Sequence, residues 1–99
     1  MNYFLYKLTS PRVPQGRDTV PSEADIFASH AEFWREQVEN GKAVAFGPVA
    51  DPNGSYTIAI LRLDPEVDPS TIVAGDPALI SLAGFTYEVH PMPGAFVGD

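Results

Sequence analysis

One histidine stands among apolar side chains in the segment ASHAEFW, residues 28–34. Imidazole titrates near neutral pH, so His30 could take up and release a proton in a reaction. In a helix through this segment the apolar residues form one arc, with His30 near its centre. That arc contains Ile26, Phe27, Phe33, Trp34 and Val38. The pattern predicts that His30 points inward, where its ring nitrogens need hydrogen-bond partners.

A carboxylate beside the imidazole would orient the ring and raise its basicity. Asp51 follows the predicted second strand, just after Gly47-Pro48, and is the acidic residue that we expect to meet His30. If they meet, His30 and Asp51 could act as a catalytic acid–base pair, although two residues do not make a motif on their own. Two structural alternatives stay open: a core histidine bonded to a backbone carbonyl, and an Asx turn formed by Asp51 in ADPNG.

Further side chains could contact a small molecule. Arg12, held between Pro11 and Val13, could bind an anion through its planar guanidinium group; the alternative is a solvated loop charge. Aromatic residues could form the walls of a binding site, although such residues also fill protein cores. The candidates are Tyr6, Trp34, Phe46 and Tyr56.

Composition excludes several other classes of function. The chain has no cysteine, so disulfides, thiolate nucleophiles and cysteine-based metal sites are absent. The two histidines lack metal-ligand spacing, and no phosphate-binding or dinucleotide-binding glycine pattern occurs, so we expect no metal and no cofactor. A net charge of −7 disfavours nucleic acid as a partner. Without a signal peptide or a long apolar run, we expect a cytoplasmic protein with no membrane association.

The elements that would position these residues follow from periodicity and turn chemistry. Ser22 as N-cap and Gly41 as C-terminal stop delimit the clearest predicted helix. Repeated Asp-Pro pairs predict two short helical pieces, separated at Gly75. The full prediction is a strand at 2–8, a loop at 9–21, a helix from 22 to 41, a strand at 42–49 interrupted at Gly47-Pro48, a strand at 55–63, helical pieces at 69–74 and 77–83, and a strand at 85–92.

This order is β-α-β-β-α-β, the arrangement of a ferredoxin-like α+β fold, and residues 1–99 form one domain. The first and third predicted strands are apolar on both faces: Tyr6 alternates with Leu5, and Leu61 with Ile60. Helices can cover only one face of the sheet. We therefore predict a homodimer, or a higher oligomer, in which two sheets stack to form a barrel-like core.

The residues also resemble a known family. Several segments are similar to the YCII-related family of the dimeric α+β barrel superfamily: YFLYKL, SPR with Arg12, HAEFW, GKAVAFGPVADPNGSY, which begins eleven residues after His30, and GFTYEVHPMP. The resemblance covers nearly the whole chain. It implies that His30 and Asp51 line a cavity as an acid–base pair, with lyase-like or dehalogenase-like activity on small hydroxylated aromatic rings. The loop RVPQGRD departs from the family by lacking an aromatic residue after the arginine.

Two function hypotheses follow. The first is a cofactor-independent enzyme, lyase-like, isomerase-like or dehalogenase-like, that moves one proton on a small anionic or phenolic substrate. The second is a noncatalytic dimeric module that binds a small molecule or a protein, in which His30 is merely hydrogen-bonded. The sequence does not decide between them, because one acid–base pair serves many reactions.

Overall fold

The computed structural model describes residues 1–9, 22–53, 56–80 and 84–97, with residues 22–24 described by their backbone alone. Arg12 lies outside the described residues, so its predicted role stays a prediction. The elements in chain order are β1 (Asn2–Thr9), α1 (Ser22–Glu39), β2 (Ala43–Val49), β3 (Tyr56–Leu63), α2 (Pro69–Val73), α3 (Pro77–Ile80) and β4 (Thr86–Met92).

The strands form one antiparallel sheet in the order β2-β3-β1-β4. This small α+β architecture confirms the predicted element order and is consistent with a ferredoxin-like fold. One detail differs: β2 continues through Gly47-Pro48, where the sequence suggested an interruption. Proline is tolerated there because β2 is an edge strand, which need not donate every backbone N–H. The irregularity of β2 is instead a register shift between Ala43 and Ala45.

Helix α1 ends as its sequence predicts. Gly41 adopts a left-handed φ of 79°, which costs glycine little because it lacks a Cβ. The Lys42 N–H then donates to the Gln37 carbonyl, and the Gly41 N–H to the Val38 carbonyl. These two bonds form a Schellman motif and satisfy carbonyls that a helix terminus leaves unpaired.

The two short helices follow Asp-Pro pairs, as predicted. The Asp68 side chain caps α2 by accepting from the Ser70 N–H at 2.9 Å, with Pro69 as the first helical residue. In the same way, the Asp76 side chain accepts from the Ala78 N–H at 2.9 Å at the start of α3. Proline suits this position because the first helical N–H has no intrahelical partner.

Helices and sheet enclose the core on one face of the sheet. Tyr6, Leu61, Trp34 and Val73 are among its most deeply buried members. The opposite side of the sheet, here termed the open face, faces away from the described helices. By strand alternation and register, the open face comprises Tyr3, Leu5, Lys7, Thr9, Ala45, Gly47, Val49, Tyr56, Ile58, Ile60, Arg62, Thr86, Glu88, His90 and Met92.

Candidate functional site

A buried carboxylate, that of Asp76, gathers four hydrogen-bond donors beneath α1. Its Oδ2 accepts from the Tyr6 hydroxyl at 2.7 Å and from Trp34 Nε1 at 2.9 Å. The Nδ1 atom of His30 lies 2.9 Å from both carboxylate oxygens. The Ala78 N–H completes the set at Oδ1. Asp76 is 0% exposed, so these partners replace its entire hydration shell.

Three separate elements bring these groups together. His30 and Trp34 are four residues apart on α1, so both side chains project from the same helix face. Tyr6 comes from β1, an inner strand of the sheet, on the face that packs against the helices. Asp76 comes from the turn before α3, where its capping bond fixes the carboxylate. The cluster therefore depends on the tertiary fold and not on one local motif.

The cluster holds Asp76 in its ionised form. Burial alone would raise the pKa of this carboxyl, but the hydrogen bonds from His30, Trp34, Tyr6 and the Ala78 N–H outweigh burial and hold its pKa below the usual value of 3.8. Burial and the neighbouring Asp76 carboxylate raise the pKa of Tyr6, whose hydroxyl therefore remains a donor. A negative charge thus sits inside the core, fully hydrogen-bonded.

This charge fixes the state of the imidazole. An ionised carboxylate can only accept, so the proton of a neutral His30 ring resides on Nδ1 and leaves Nε2 as a basic lone pair. The His30 residue is 4% exposed, and its Nε2 has no hydrogen-bond partner among the described residues. Buried polar atoms are almost always paired, so this nitrogen is the exception in the cluster. A proton added to Nε2 would give an imidazolium that the Asp76 carboxylate stabilises.

The structure corrects the predicted partner of His30. The expectation that Asp51 meets the imidazole is wrong, because Asp76 occupies that position. Asp51 instead accepts from the Asn53 N–H at 2.8 Å, the Asx turn that the sequence left open as its alternative. The sequence carried a usable signal: Asp76 is the sole charged residue of the apolar stretch TIVAGDPALISLAG. Its Asp-Pro context indicated a helix cap, and Asp76 does cap α3. That context did not indicate its second role as the partner of His30.

The predicted aromatic walls fall in different places. Tyr6 and Trp34 belong to the cluster, where they act as donors to Asp76. Phe46 is half-buried against the core from β2 and also lines a cavity of about 220 Å³ there. Tyr56 lies on the open face, where its ring packs under the Lys7 ammonium at 4.4 Å from the ring centroid. The sheet therefore separates Tyr56 from His30, and the expectation that Tyr56 lines the same site is wrong.

The described ranges contain neither a metal-binding cluster nor a membrane-spanning helix. No group of three or more His, Asp or Glu side chains there could hold a metal ion. In the same part of the chain, no helix combines the length and apolar character needed to cross a bilayer.

Comparisons with known proteins identify no family. No protein-family model matches the chain, and no curated protein matches it. The resemblance to the YCII-related family therefore stays a prediction. Among solved structures, a formyltetrahydrofolate deformylase from Pseudomonas putida KT2440 is similar over 91% of this chain, with 16% sequence identity and a TM-score of 0.46. The matched region spans 28% of that protein, and a likeness this weak says nothing about activity.

Proposed function

We propose that this protein is a small acid–base enzyme in which His30 transfers a proton to and from a small anionic or phenolic substrate. The observation that supports the proposal is the buried Nε2 of His30, which has no partner among the residues that the structure describes and whose ring is held by an ionised Asp76. The reaction would be of a lyase-like, isomerase-like or dehalogenase-like kind and would need no bound cofactor. This assignment keeps the predicted catalytic histidine and replaces Asp51 with Asp76.

Each residue of the cluster would have a different role in proton transfer. Nε2 of His30 would accept the substrate proton as a general base and return it as a general acid. Asp76 would keep the ring in the reactive tautomer and stabilise the imidazolium, as the carboxylate does in hydrolase triads. Within the cluster, Tyr6 and Trp34 each donate a hydrogen bond to Asp76, and neither donates to His30. They would therefore act as positioning residues that keep the Asp76 carboxylate ionised.

We further propose that the working unit is a homodimer, in which two open faces stack to form an α+β barrel, and that it resides in the cytoplasm. Residues of this face such as Leu5, Ile58 and Ile60 are apolar and only half-buried in one copy. Apolar sheet faces of this kind normally pack against another layer. Membership of the YCII-related family would fit this assembly.

The decisive variant is His30→Asn. The amide nitrogen of asparagine occupies nearly the position of Nδ1, so it can still donate to Asp76, while the variant lacks Nε2 altogether. We expect native-like far-UV circular dichroism and loss of proton transfer by about 10²-fold to 10⁴-fold, the usual contribution of a general base. Proton transfer would be followed by NMR as solvent deuterium exchange into a panel of small keto acids and hydroxylated aromatic compounds.

A second measurement separates the enzyme from the noncatalytic module. Long-range ¹H–¹⁵N NMR reports each ring nitrogen of His30, and phenol and benzoate serve as a phenolic and an anionic probe. The proposal expects an unprotonated Nε2 in the neutral ring whose resonance moves when a probe binds. The alternative is a hydrogen-bonded core histidine in a noncatalytic module. It would be supported if neither probe moved the Nε2 resonance and if the protein did not accelerate deuterium exchange into any compound of the panel.

A further inference from the structure

The segment after β4 carries an exposed aromatic side chain, Phe96. Its exposure is 108%, as great as in an isolated extended chain, so its side chain is not buried by the described residues. Residues 94–97 lie beside the open face, where they bound a cavity of about 450 Å³ together with Val44, Ile60 and Met92. Together with the half-buried apolar face, Phe96 forms a contiguous apolar surface of the kind at which proteins associate.

The open face also contains a second, apolar cavity of about 220 Å³ on its β2–β3 half. It is lined by Ala45, Phe46, Gly47, Pro48, Val49, Ile58 and Ile60. Gly47 contributes to the space there, since a Cβ built on it would meet nothing within 4 Å. Ile60 belongs to both cavities, so the region beside Phe96 and the apolar cavity are continuous along the sheet.

Charge indicates which partner fits this surface. The chain has 13 acidic and 6 basic residues, so two copies repel each other over most orientations. The described part of the open face differs, because it holds two cations, Lys7 and Arg62, and one anion, Glu88. Lys7 and Glu88 are directly opposite each other on β1 and β4. A face of near-neutral charge with both signs present can meet a second copy of itself without the repulsion of the remaining surface.

We propose that Phe96 of each copy inserts into the apolar cavity on the β2–β3 half of the partner's open face and anchors the dimer reciprocally. This inference rests on the homodimer proposed above and adds a named anchor and its pocket. In a two-fold symmetric interface the contact occurs twice. An aromatic side chain seated in a pocket is the usual form of an interface hot spot.

The test compares Phe96→Ser with Ile80→Ser by analytical ultracentrifugation of the full chain over a concentration series. Ile80 is the matched control, since it is a large apolar residue, 62% exposed, on α3 at the helical side of the sheet. One hot-spot contact contributes about tenfold or more to a dissociation constant. Because each dimer loses two contacts, we expect Phe96→Ser to raise the dimer dissociation constant by about a hundredfold and Ile80→Ser to leave it within about threefold.

The possible outcomes are distinct. A wild-type chain that is monomeric at the highest concentration overturns both the dimer and the anchor. A wild-type dimer that Phe96→Ser weakens by less than about tenfold, or no more than Ile80→Ser does, overturns the anchor alone. If the segment instead folds onto its own sheet, Phe96→Ser lowers the melting temperature of the monomer without changing the dissociation constant, which also overturns the proposal.

Discussion

Replacing Asp76 with asparagine tests the central feature of the site while changing little volume. Oδ2 of Asp76 accepts from Tyr6 and Trp34, and Oδ1 accepts from the Ala78 N–H. An asparagine must place its NH₂ group at one of these two positions, facing groups that donate. The Tyr6 hydroxyl can rotate to accept, but the indole N–H of Trp34 and the backbone N–H of Ala78 cannot. At least one buried donor is therefore left unpaired.

Each such donor costs about 1–3 kcal/mol, and the charge-assisted bonds that remain weaken when the carboxylate becomes a neutral amide. We expect Asp76→Asn to lower the free energy of unfolding by about 2–4 kcal/mol at pH 7, a large share of the roughly 5–15 kcal/mol typical of a domain. Asp51→Asn is the matched control. Asparagine can still accept from the Asn53 N–H in the turn, so this exposed change should cost less than about 0.5 kcal/mol.

The difference in unfolding free energy between wild type and Asp76→Asn depends on pH in a definite direction. The pKa of Asp76 in the folded chain lies below its usual value of 3.8, which it regains on unfolding. The stabilisation linked to this ionisation is therefore fully present above about pH 4 and is lost as the pH falls through the folded-state pKa. We expect the stability gap between wild type and Asp76→Asn to narrow as the pH falls below about 4.

Urea unfolding at several pH values measures this gap. Trp34, the single tryptophan, is a buried fluorescent probe, and far-UV circular dichroism checks that the variant keeps the fold. The reasoning is refuted if Asp76→Asn costs less than about 1 kcal/mol, or if Asp51→Asn costs as much as Asp76→Asn. A gap that stays constant or widens in acid would contradict an ionised Asp76 in the folded chain.

Two further substitutions test the surroundings of the cluster. Tyr6→Phe removes the 2.7 Å donor to Asp76, so it should cost about 1–2 kcal/mol and shift the acid limb of the stability profile toward higher pH, measured by the same urea titrations. Gly75→Ala would place a Cβ 3.0 Å from Cε1 of Phe33, whereas Gly94→Ala meets nothing within 4 Å. Thermal unfolding should therefore show a loss of about 1–3 kcal/mol for Gly75→Ala and a negligible change for Gly94→Ala.

Sequence reasoning predicted the elements well because their signals are local. The left-handed Gly41, the Asp68-Pro69 cap and the alternation along β1 each depend on residues within a few positions of one another. The inward direction of His30 was equally predictable from helical periodicity. Its burial at 4% exposure confirms that expectation.

The partner of His30 was not predictable in this way. Asp76 is 46 residues from His30 and 70 from Tyr6 along the chain, and the packing of α1, β1 and the turn before α3 brings them together. Asp51 and Asp76 both sit beside a proline in a turn-like context, and local chemistry does not distinguish a carboxylate that caps a turn from one that also enters the core. The tertiary structure shows that Asp76, and not Asp51, contacts His30.

Stability alone gives little reason for this arrangement. Burying a carboxylate costs several kcal/mol before its hydrogen bonds repay the loss, and apolar residues of similar volume often stabilise a core at least as well. Here the charge is satisfied by Tyr6, Trp34 and the Ala78 N–H, while its remaining partner, His30, has an Nε2 that is unpaired within the described part of the chain. A purely structural network gains nothing from leaving a buried ring nitrogen without a partner among the described residues. The proposed general base rests on this arrangement, a ring held by Asp76 whose buried Nε2 has no partner among the described residues.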